Sequence, residues 1–321
     1  MTSPKIVAVT GSTGFVGRYV VRELLAQGYA VRALAQSESS AKRHLPRDPR
    51  VEVVLGDALS PAKLDELCKG CSAAVALVGI IREERDGLTF QQAHVGAPKA
   101  LLAACHRAGV RRFVHMSALG ASPTGQAEYQ RTKFEGEQLV RASGLDWTVF
   151  RPSFILGEGS KFIKQAINWA KGEEQPWIFM PYFTRGVEDT SVPLGPVHRI
   201  DPVVQPVAVE DVAKAFVSAI PNEKSFGETY NLVGPDRLSF PELLLWIRDT
   251  YVHGSTQGVW GVPGEIAAIQ ADIAALVGMK HVLPFDSGMA HMASQDSVGE
   301  LVKVREHLGL TPRHVVTQPA H

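Results

Sequence analysis

Short, continuous apolar runs alternate with stretches of helical spacing through the first half of the chain. Residues 5–10 (KIVAVT) form an unbroken apolar run, as expected of a strand buried on both faces. Over 15–27 the apolar positions switch to helical spacing, with Val16, Val20, Leu24 and Leu25 on one face. Gly28 ends that helix, because glycine accepts the left-handed conformation that helix ends adopt. Residues 30–35 and 51–55 predict the second and third strands. Ser60-Pro61 predicts a helix start, cap followed by first-turn proline, and Gly70 its end. Strands at 73–78, 112–117 and 146–152 alternate with helices at 98–108, closed by Gly109, and at 127–143. This β-α-β rhythm predicts a parallel sheet covered by helices on both faces.

Beyond Pro152 the pattern loosens. Residues 173–206 are rich in Pro and Gly and predict a long excursion at the edge of a cleft. Regular structure resumes at 206–209, with a helix over 210–219. Ser239-Phe240-Pro241-Glu242 has capping-box form and starts a helix through Trp246 and Ile247. Residues 265–277 are amphipathic, with Ile266, Ile269, Ile273 and Leu276 on one stripe. No fixed-period repeat or low-complexity segment interrupts the chain.

The 321 residues suffice for a full hydrophobic core without disulfide or metal staples. Lys+Arg and Asp+Glu are both 33, so no global charge steers the chain toward nucleic acid or anionic lipid. Cys68, Cys71 and Cys105 cannot pair evenly, and no second C-x-x-C or His pair completes a zinc set. They read as small apolar residues in a reducing compartment, and no metal site is expected. The N-terminus carries no apolar signal core. The longest apolar run, 73–81, falls short of the ~18 residues a spanning helix needs. The expectation is a cytoplasmic protein, at most peripheral to a membrane.

The turn after the first strand is the strongest chemical signal. Gly11-Ser12-Thr13-Gly14-Phe15-Val16-Gly17 lies between a strand and a helix, where free helix amides and the positive dipole end bind a pyrophosphate. Gly17 lets the helix lie close to the sheet. The second strand ends Ala35-Gln36-Ser37, without the carboxylate that an NAD-preferring site directs at the ribose 2′-hydroxyl. Arg18, Lys42 and Arg43 suit a 2′-phosphate, so NADP(H) is favoured over NAD(H); Lys42 and Arg43 equally fit a solvated helix face. Asp57, followed by Ala58 at the third strand's end, is placed either to accept from the adenine amino group or to hold a turn.

A second constellation is Tyr129-Gln130-Arg131-Thr132-Lys133. Tyr and Lys four apart on a helix share a face. The ammonium is expected to favour the phenolate and lower its pKa from about 10, giving an acid/base group for a carbonyl–alcohol centre. The helix follows the fifth strand, at the carboxyl edge where such a sheet binds ligand.

On these residues the chain resembles the short-chain dehydrogenase/reductase superfamily, in its extended or atypical branch. The carrying strings are Gly11–Gly17, Gly56-Asp57, FVHMSA from Phe113 to Ala118, Tyr129-x-x-x-Lys133, Arg151-Pro152-Ser153 and PVAVED from Pro206 to Asp211. SALGA (117–121), EYQRTKFEGEQLVRASG (128–144) and TVFRPSFILG (148–157) resemble the subgroup of the alpha subcomplex subunit 9 of respiratory complex I and its bacterial relatives. The similarity covers about 5–250. It implies an α/β, Rossmann-type doubly wound parallel sheet with a smaller C-terminal substrate lobe. The expected division is a dinucleotide-binding part at 1–157 and a lobe at 158–321, with 206–235 returning to the sheet. Val78, Gly79, Arg151 and Pro152 are then expected beside the cofactor.

Two departures bear on catalysis. Aligning FVHMSA on the fifth strand puts Ala118 in the family's catalytic Ser/Thr slot and Ser117 one place early. His94 sits where many extended members have Asn, and reads as a helix-packing histidine. Trp177, Phe179, Tyr182 and Phe183 in the excursion are candidates to close an apolar cleft over a lipid-like or quinone-like substrate. Two functions follow. One is an NADP(H)-dependent oxidoreductase or epimerase using Tyr129, Lys133 and Ser117. The other is an NADPH-holding structural or assembly protein associated with a respiratory complex or membrane surface.

Overall fold

The computed structural model describes residues 4–83, 87–189, 191, 196–276 and 285–316. Strands β1 (Ile6–Thr10), β2 (Ala30–Ala35), β3 (Val51–Leu55), β4 (Ala73–Ala76), β5 (Arg112–Met116) and β6 (Asp146–Pro152) alternate with helices α1 (Phe15–Ala26), α2 (Glu38–His44), α3 (Pro61–Cys68), α4 (Ala97–Ala108) and α5 (Glu128–Arg141). There follow β7 (Ile155–Leu156), α6 (Lys161–Lys171), β8 (Phe179–Glu188), β9 (Val197–Ile200), β10 (Val203–Val204), β11 (Val207–Ala208) and α7 (Val209–Ala219). The rest is β12 (Glu228–Leu232), β13 (Leu238–Ser239), α8 (Phe240–Tyr251), β14 (Gly258–Pro263), α9 (Gly264–Leu276), α10 (Ser287–Ala293) and α11 (Val302–Leu308).

Seven strands form one sheet in the order β12-β6-β5-β4-β1-β2-β3, every neighbouring pair parallel. The order reverses between β1 and β4, and ligands bind at the carboxyl edge of such a switch point. The sheet residues are apolar on both faces because both are covered. Val7 and Val9 meet α1 and α7, while Ala8, Ala74 and Phe113 meet α3 and α4. Arg112 is buried in β5 without a carboxylate partner among the described residues. It donates to the terminal carbonyls of α7, Ala219 and Ile220, and so supplies the cation that helix end lacks.

Several expectations change on contact with the structure. The fourth helix starts earlier than Pro98 indicates, through a π-helical turn over Gln92–Gly96. Proline cannot donate to the carbonyl four residues back, that of His94. That oxygen faces Gly136 on α5 instead, where an added Cβ would lie 2.2 Å from it. Ser60 stands at the start of α3, yet its hydroxyl makes no capping bond. The capping box at α8 forms: Glu242 accepts from the Ser239 amide at 2.6 Å and its hydroxyl at 2.7 Å.

The excursion at 173–206 is not loop throughout. It holds β8 and β9, which form a three-stranded sheet in the order β14-β8-β9. Tyr182 stacks on Phe240 and donates to Asp201, and Phe183 packs edge-on to Phe285, so both are anchors of this smaller lobe. Trp177 is 54% exposed. In α9 the isoleucine stripe is turned outward. Ile266, Ile269 and Ile273 are about half exposed, while Ala267, Ala268 and Ala271 are buried beside Ala290 of α10. Small side chains let the two helices approach closely, and that packing overrides the larger residues. Leu276's side chain and Val277 lie outside the described residues.

Candidate dinucleotide site and its acid–base pair

The glycine turn is built by close approach. Gly11 has φ +68, and a Cβ there would lie 2.8 Å from the Leu77 backbone at the exit of β4. A Cβ on Gly17 would lie 2.0 Å from the Gly11 oxygen, so only glycine lets α1 pack on the turn. Gly14, the residue preceding α1, is exposed with φ −73, and its nearest contact is Gly11 O at 3.1 Å from a Cβ. The first turn of α1, from Phe15 and Val16 onward, therefore presents its free amides beside an open glycine, with Thr13 half-buried at the turn's crest. Ser12, which sequence reasoning passed over, is buried and donates to the Leu34 carbonyl at 2.7 Å, tying the turn to β2. A dinucleotide diphosphate fits this cradle.

Around it, the expected cofactor residues divide. Gln36 is exposed at the end of β2. Lys42 is spent on Glu38 at 2.8 Å, on the solvated face of α2, whereas Arg43 is exposed and makes no ion pair among the described residues. Arg18 directs its guanidinium at the Glu158 carbonyl, 2.5 Å away. Asp57 accepts the Leu59 amide at 2.7 Å, the geometry of a turn aspartate, with Ala58 packed toward the core. Val78 and Gly79 follow β4 at the carboxyl edge. Arg151 grips Glu137 on α5 rather than opening onto the glycine turn, and Pro152 ends β6, accepting from the Leu119 amide.

Tyr129 and Lys133 share a face of α5, the ammonium 5.8 Å from the ring centroid. Lys133 is 3% exposed and donates to the Met116 carbonyl at 3.2 Å. A Cβ on Gly79 would lie 3.0 Å from its Nζ, so the lysine occupies space that glycine leaves. Burial pulls the ammonium down to about 8, against the support of Glu137. Burial also pushes the Tyr129 phenol up to about 12. The lowering expected from Lys133 does not appear, because burial favours the neutral phenol.

His94 joins the two walls of this site. Its Nε2 lies 3.0 Å from the Ile80 carbonyl oxygen and its Nδ1 3.0 Å from the Thr132 hydroxyl. The ring stacks on Phe90 and meets Tyr129 edge-on at 5.1 Å. Burial, then the nearby Lys133 charge, holds it neutral, with its pKa down to about 2. Ser117 is buried, its hydroxyl without a hydrogen-bond partner among the described residues, and Ala118 follows it. The strand's alternation puts Ser117 on the side of Phe113 and His115, which α5 covers. His115 is likewise buried with neither ring nitrogen partnered.

The cysteines are all buried thiols. Cys68 and Cys105 lie 4.0 Å apart, and Cys71 donates to the Leu67 carbonyl. Among the described residues no His/Cys/Asp/Glu group could hold a metal ion. None of the described helices is long and apolar enough to cross a membrane.

A Rossmann-type sheet with a glycine turn at its switch point defines a dinucleotide-binding class of protein. The chain belongs to the NAD(P)H-binding family, whose model matches residues 11–173, just over half of it. It is 29% identical over 258 residues to NADH dehydrogenase [ubiquinone] 1 alpha subcomplex subunit 9, mitochondrial, of Rattus norvegicus. That match covers 78% of this chain and 61% of the rat protein, so the chain spans under two thirds of that relative's length. It is 35% identical over 154 residues to the ceramide reductase of Caulobacter vibrioides, covering 48% of this chain and 47% of that one. Among solved structures, an epimerase from Methanothermobacter thermautotrophicus superposes with a TM-score of 0.71 at 18% identity, over 97% of this chain and 88% of its own. That likeness shows a shared fold over nearly the whole chain.

Proposed function

We propose that the protein is an NADP(H)-dependent oxidoreductase, with Tyr129 as its proton donor and acceptor. The observation that carries this reading is the place of Lys133 Nζ, 5.8 Å from the Tyr129 ring centroid and 3.0 Å from where a Cβ on Gly79 would lie, two residues beyond the Leu77 backbone that packs against the glycine turn. A bound nicotinamide dinucleotide supplies or takes a hydride. Gly11, Thr13, Gly14 and the amides of Phe15, Val16 and Gly17 hold its phosphates. Tyr129 gives a proton to the substrate oxygen in reduction and takes it in oxidation. Lys133 keeps positive charge beside the phenol and would hold the nicotinamide ribose. Ser117 supplies the hydroxyl for the substrate oxygen, because Ala118 offers none, and a backbone shift must first uncover its buried Oγ. The preference for NADP(H) is supported by Gln36, where a carboxylate would repel a 2′-phosphate, and by Arg43 on α2, which makes no ion pair among the described residues.

The substrate class we infer is a small molecule with a lipid-like or quinone-like body. The apolar Ile80-Ile81 segment beside Gly79 supports it, as does similarity to a relative named ceramide reductase. The test is NADPH oxidation, followed by absorbance, against long-chain ketones, quinones and sugar nucleotides. Turnover of one class, lost in Tyr129→Phe, supports the assignment, and turnover unaffected by that change overturns it.

A second reading, an NADPH-holding assembly component, draws on Ala118 in the catalytic slot and on similarity to the complex I subunit over 78% of the chain. It predicts tight, stoichiometric NADPH without turnover, and a respiratory complex that assembles normally with Tyr129→Phe.

A further inference from the structure

We propose that Arg18 is a positioning residue that straps the loop leading into the smaller lobe onto the first turn of α1. One guanidinium thereby links the dinucleotide phosphates to the substrate side of the molecule. The inference rests on the reading of α1 as the phosphate-binding helix.

The strap spans 140 residues of sequence. Arg18 Nη2 donates to the Glu158 carbonyl at 2.5 Å, and the Tyr19 hydroxyl donates to the same oxygen at 3.0 Å. Both lone pairs of that carbonyl are therefore used. The guanidinium carbon lies 5.9 Å from the Phe15 ring centroid and 5.5 Å from that of Tyr19, so two rings hold the fork in place. The loop is shaped to receive it. Gly159 has φ +87, and a Cβ there would fall 1.6 Å from Arg18 Nη2. Gly157 has φ +152, and its Cβ would meet Val209 at 2.4 Å. Ser160, which follows Gly159, caps α6: its amide donates to Gly157 O at 3.1 Å, and its hydroxyl accepts from the Ile163 amide at 3.4 Å.

The cation is only partly used. Arg18 pairs with no carboxylate among the described residues, and its Nε is buried with no hydrogen-bond partner. A guanidinium has five donors in a fixed plane, so it can keep Nη2 on Glu158 while its remaining donors face an anion at the helix N-terminus. Charge-assisted hydrogen bonds are roughly twice as strong as neutral ones, so a diphosphate there orders the side chain and, through it, the loop. By linkage, anything that orders the loop tightens cofactor binding by the same factor.

Amide hydrogen exchange over 155–165 tests this, with NADPH binding measured separately by calorimetry. In the cofactor-free protein, Arg18→Met should speed exchange at Ser160 and Ile163 by about tenfold, and Tyr19→Phe by less. Adding NADPH should slow these amides several-fold in the parent. In Arg18→Met that slowing should vanish even when saturating NADPH is bound. Arg18→Lys restores charge without the fork, so it should recover part of the affinity but not the protection. Parent-like exchange in cofactor-free Arg18→Met overturns the strap, and should that variant not fold, parent-like exchange in Tyr19→Phe does so. NADPH-induced slowing that survives in Arg18→Met overturns the coupling. A parent that binds no dinucleotide by calorimetry overturns the cofactor reading and the coupling with it, and leaves the strap decided by the cofactor-free comparison.

Discussion

Arg151 on β6 holds Glu137 on α5 through two bonds of 2.7 Å, Nε to Oε1 and Nη2 to Oε2, while the Glu137 side chain is wholly buried. Arg141 adds a third contact at 3.0 Å. This pair fixes the helix that carries Tyr129 and Lys133 to the sheet. Removing one member of a buried pair costs about 3–5 kcal/mol, because the other charge is left unpaired. Arg151 keeps 23% exposure, which lowers the expectation for Glu137→Gln to about 2–3 kcal/mol, read as a lower urea midpoint. The double change Glu137→Leu/Arg151→Met should recover most of that loss. A double variant as unstable as the two single changes added together contradicts the pairing.

Lys133 should weaken the cofactor-free fold while serving the bound state. Its pKa is lowered by burial to about 8 from 10.5. Below pH 8 the ammonium is charged in both folded and unfolded chains, and the cost of burying it is present in full. Between pH 8 and 10.5 the unfolded chain binds the proton that the folded chain has released, so stability rises with pH. Lys133→Met removes the charge and keeps the length. It should raise Tm at pH 7 by about 2–4 °C, with the gap over the parent shrinking toward pH 10. NADP(H) binding should weaken in the same variant. A Lys133→Met protein that melts below the parent at pH 7 refutes the account.

Cofactor choice is expected to turn on Gln36. A charge-assisted hydrogen bond is worth about 1.5–3 kcal/mol, or about 10- to 100-fold in affinity. Gln36→Asp gives the ribose 2′-hydroxyl an acceptor and repels a 2′-phosphate. It should lower NADP(H) affinity by at least about tenfold and raise that for NAD(H). Arg43→Ala should narrow the preference, since Arg43 makes no ion pair among the described residues and Lys42 is tied to Glu38. Equal dissociation constants for the two cofactors in the parent would show that this edge of the sheet does not discriminate.

What could be read from the sequence follows the range of the interactions. Strands buried on both faces appear as continuous apolar runs, and Val7–Val9 could be placed from neighbours alone. The glycine turn and the Tyr129/Lys133 spacing are also local patterns. Contacts between residues far apart in the chain leave no local trace: Arg151 with Glu137, His94 with Ile80, Arg18 with Glu158. Arg18 and Arg151 are expected at the cofactor from local pattern, and that pattern says nothing of their reach to Glu158 and Glu137. In β8, Pro181 and Gly186 break the strand signature. Pro181 is tolerated because β9 pairs only with 185–188, beyond it. In α9, hydrophobicity ranked isoleucine above alanine, but the partner helix α10 selects for closeness.

Gly14 and Gly17 of the turn should respond oppositely to a side chain. Gly17 supports the fold: a Cβ would lie 2.0 Å from the Gly11 oxygen and 2.8 Å from Ser12 backbone atoms, none of which can move without displacing β1 or α1. Gly17→Ala should therefore lower Tm strongly and yield little soluble protein. Gly14 serves the ligand. Its φ of −73 and ψ of 177 suit a β-branched residue, and the one near contact of a Cβ, 3.1 Å to Gly11 O, can relax by a few tenths of an ångström. Gly14→Val should melt within a few degrees of the parent. Its two γ-methyls nevertheless stand over the amides of the first helical turn, where the diphosphate has to reach the backbone. Calorimetry should then detect no NADPH binding by Gly14→Val at concentrations that saturate the parent. If Gly14→Val binds NADPH as tightly as the parent while keeping its fold, the dinucleotide is held somewhere other than this turn.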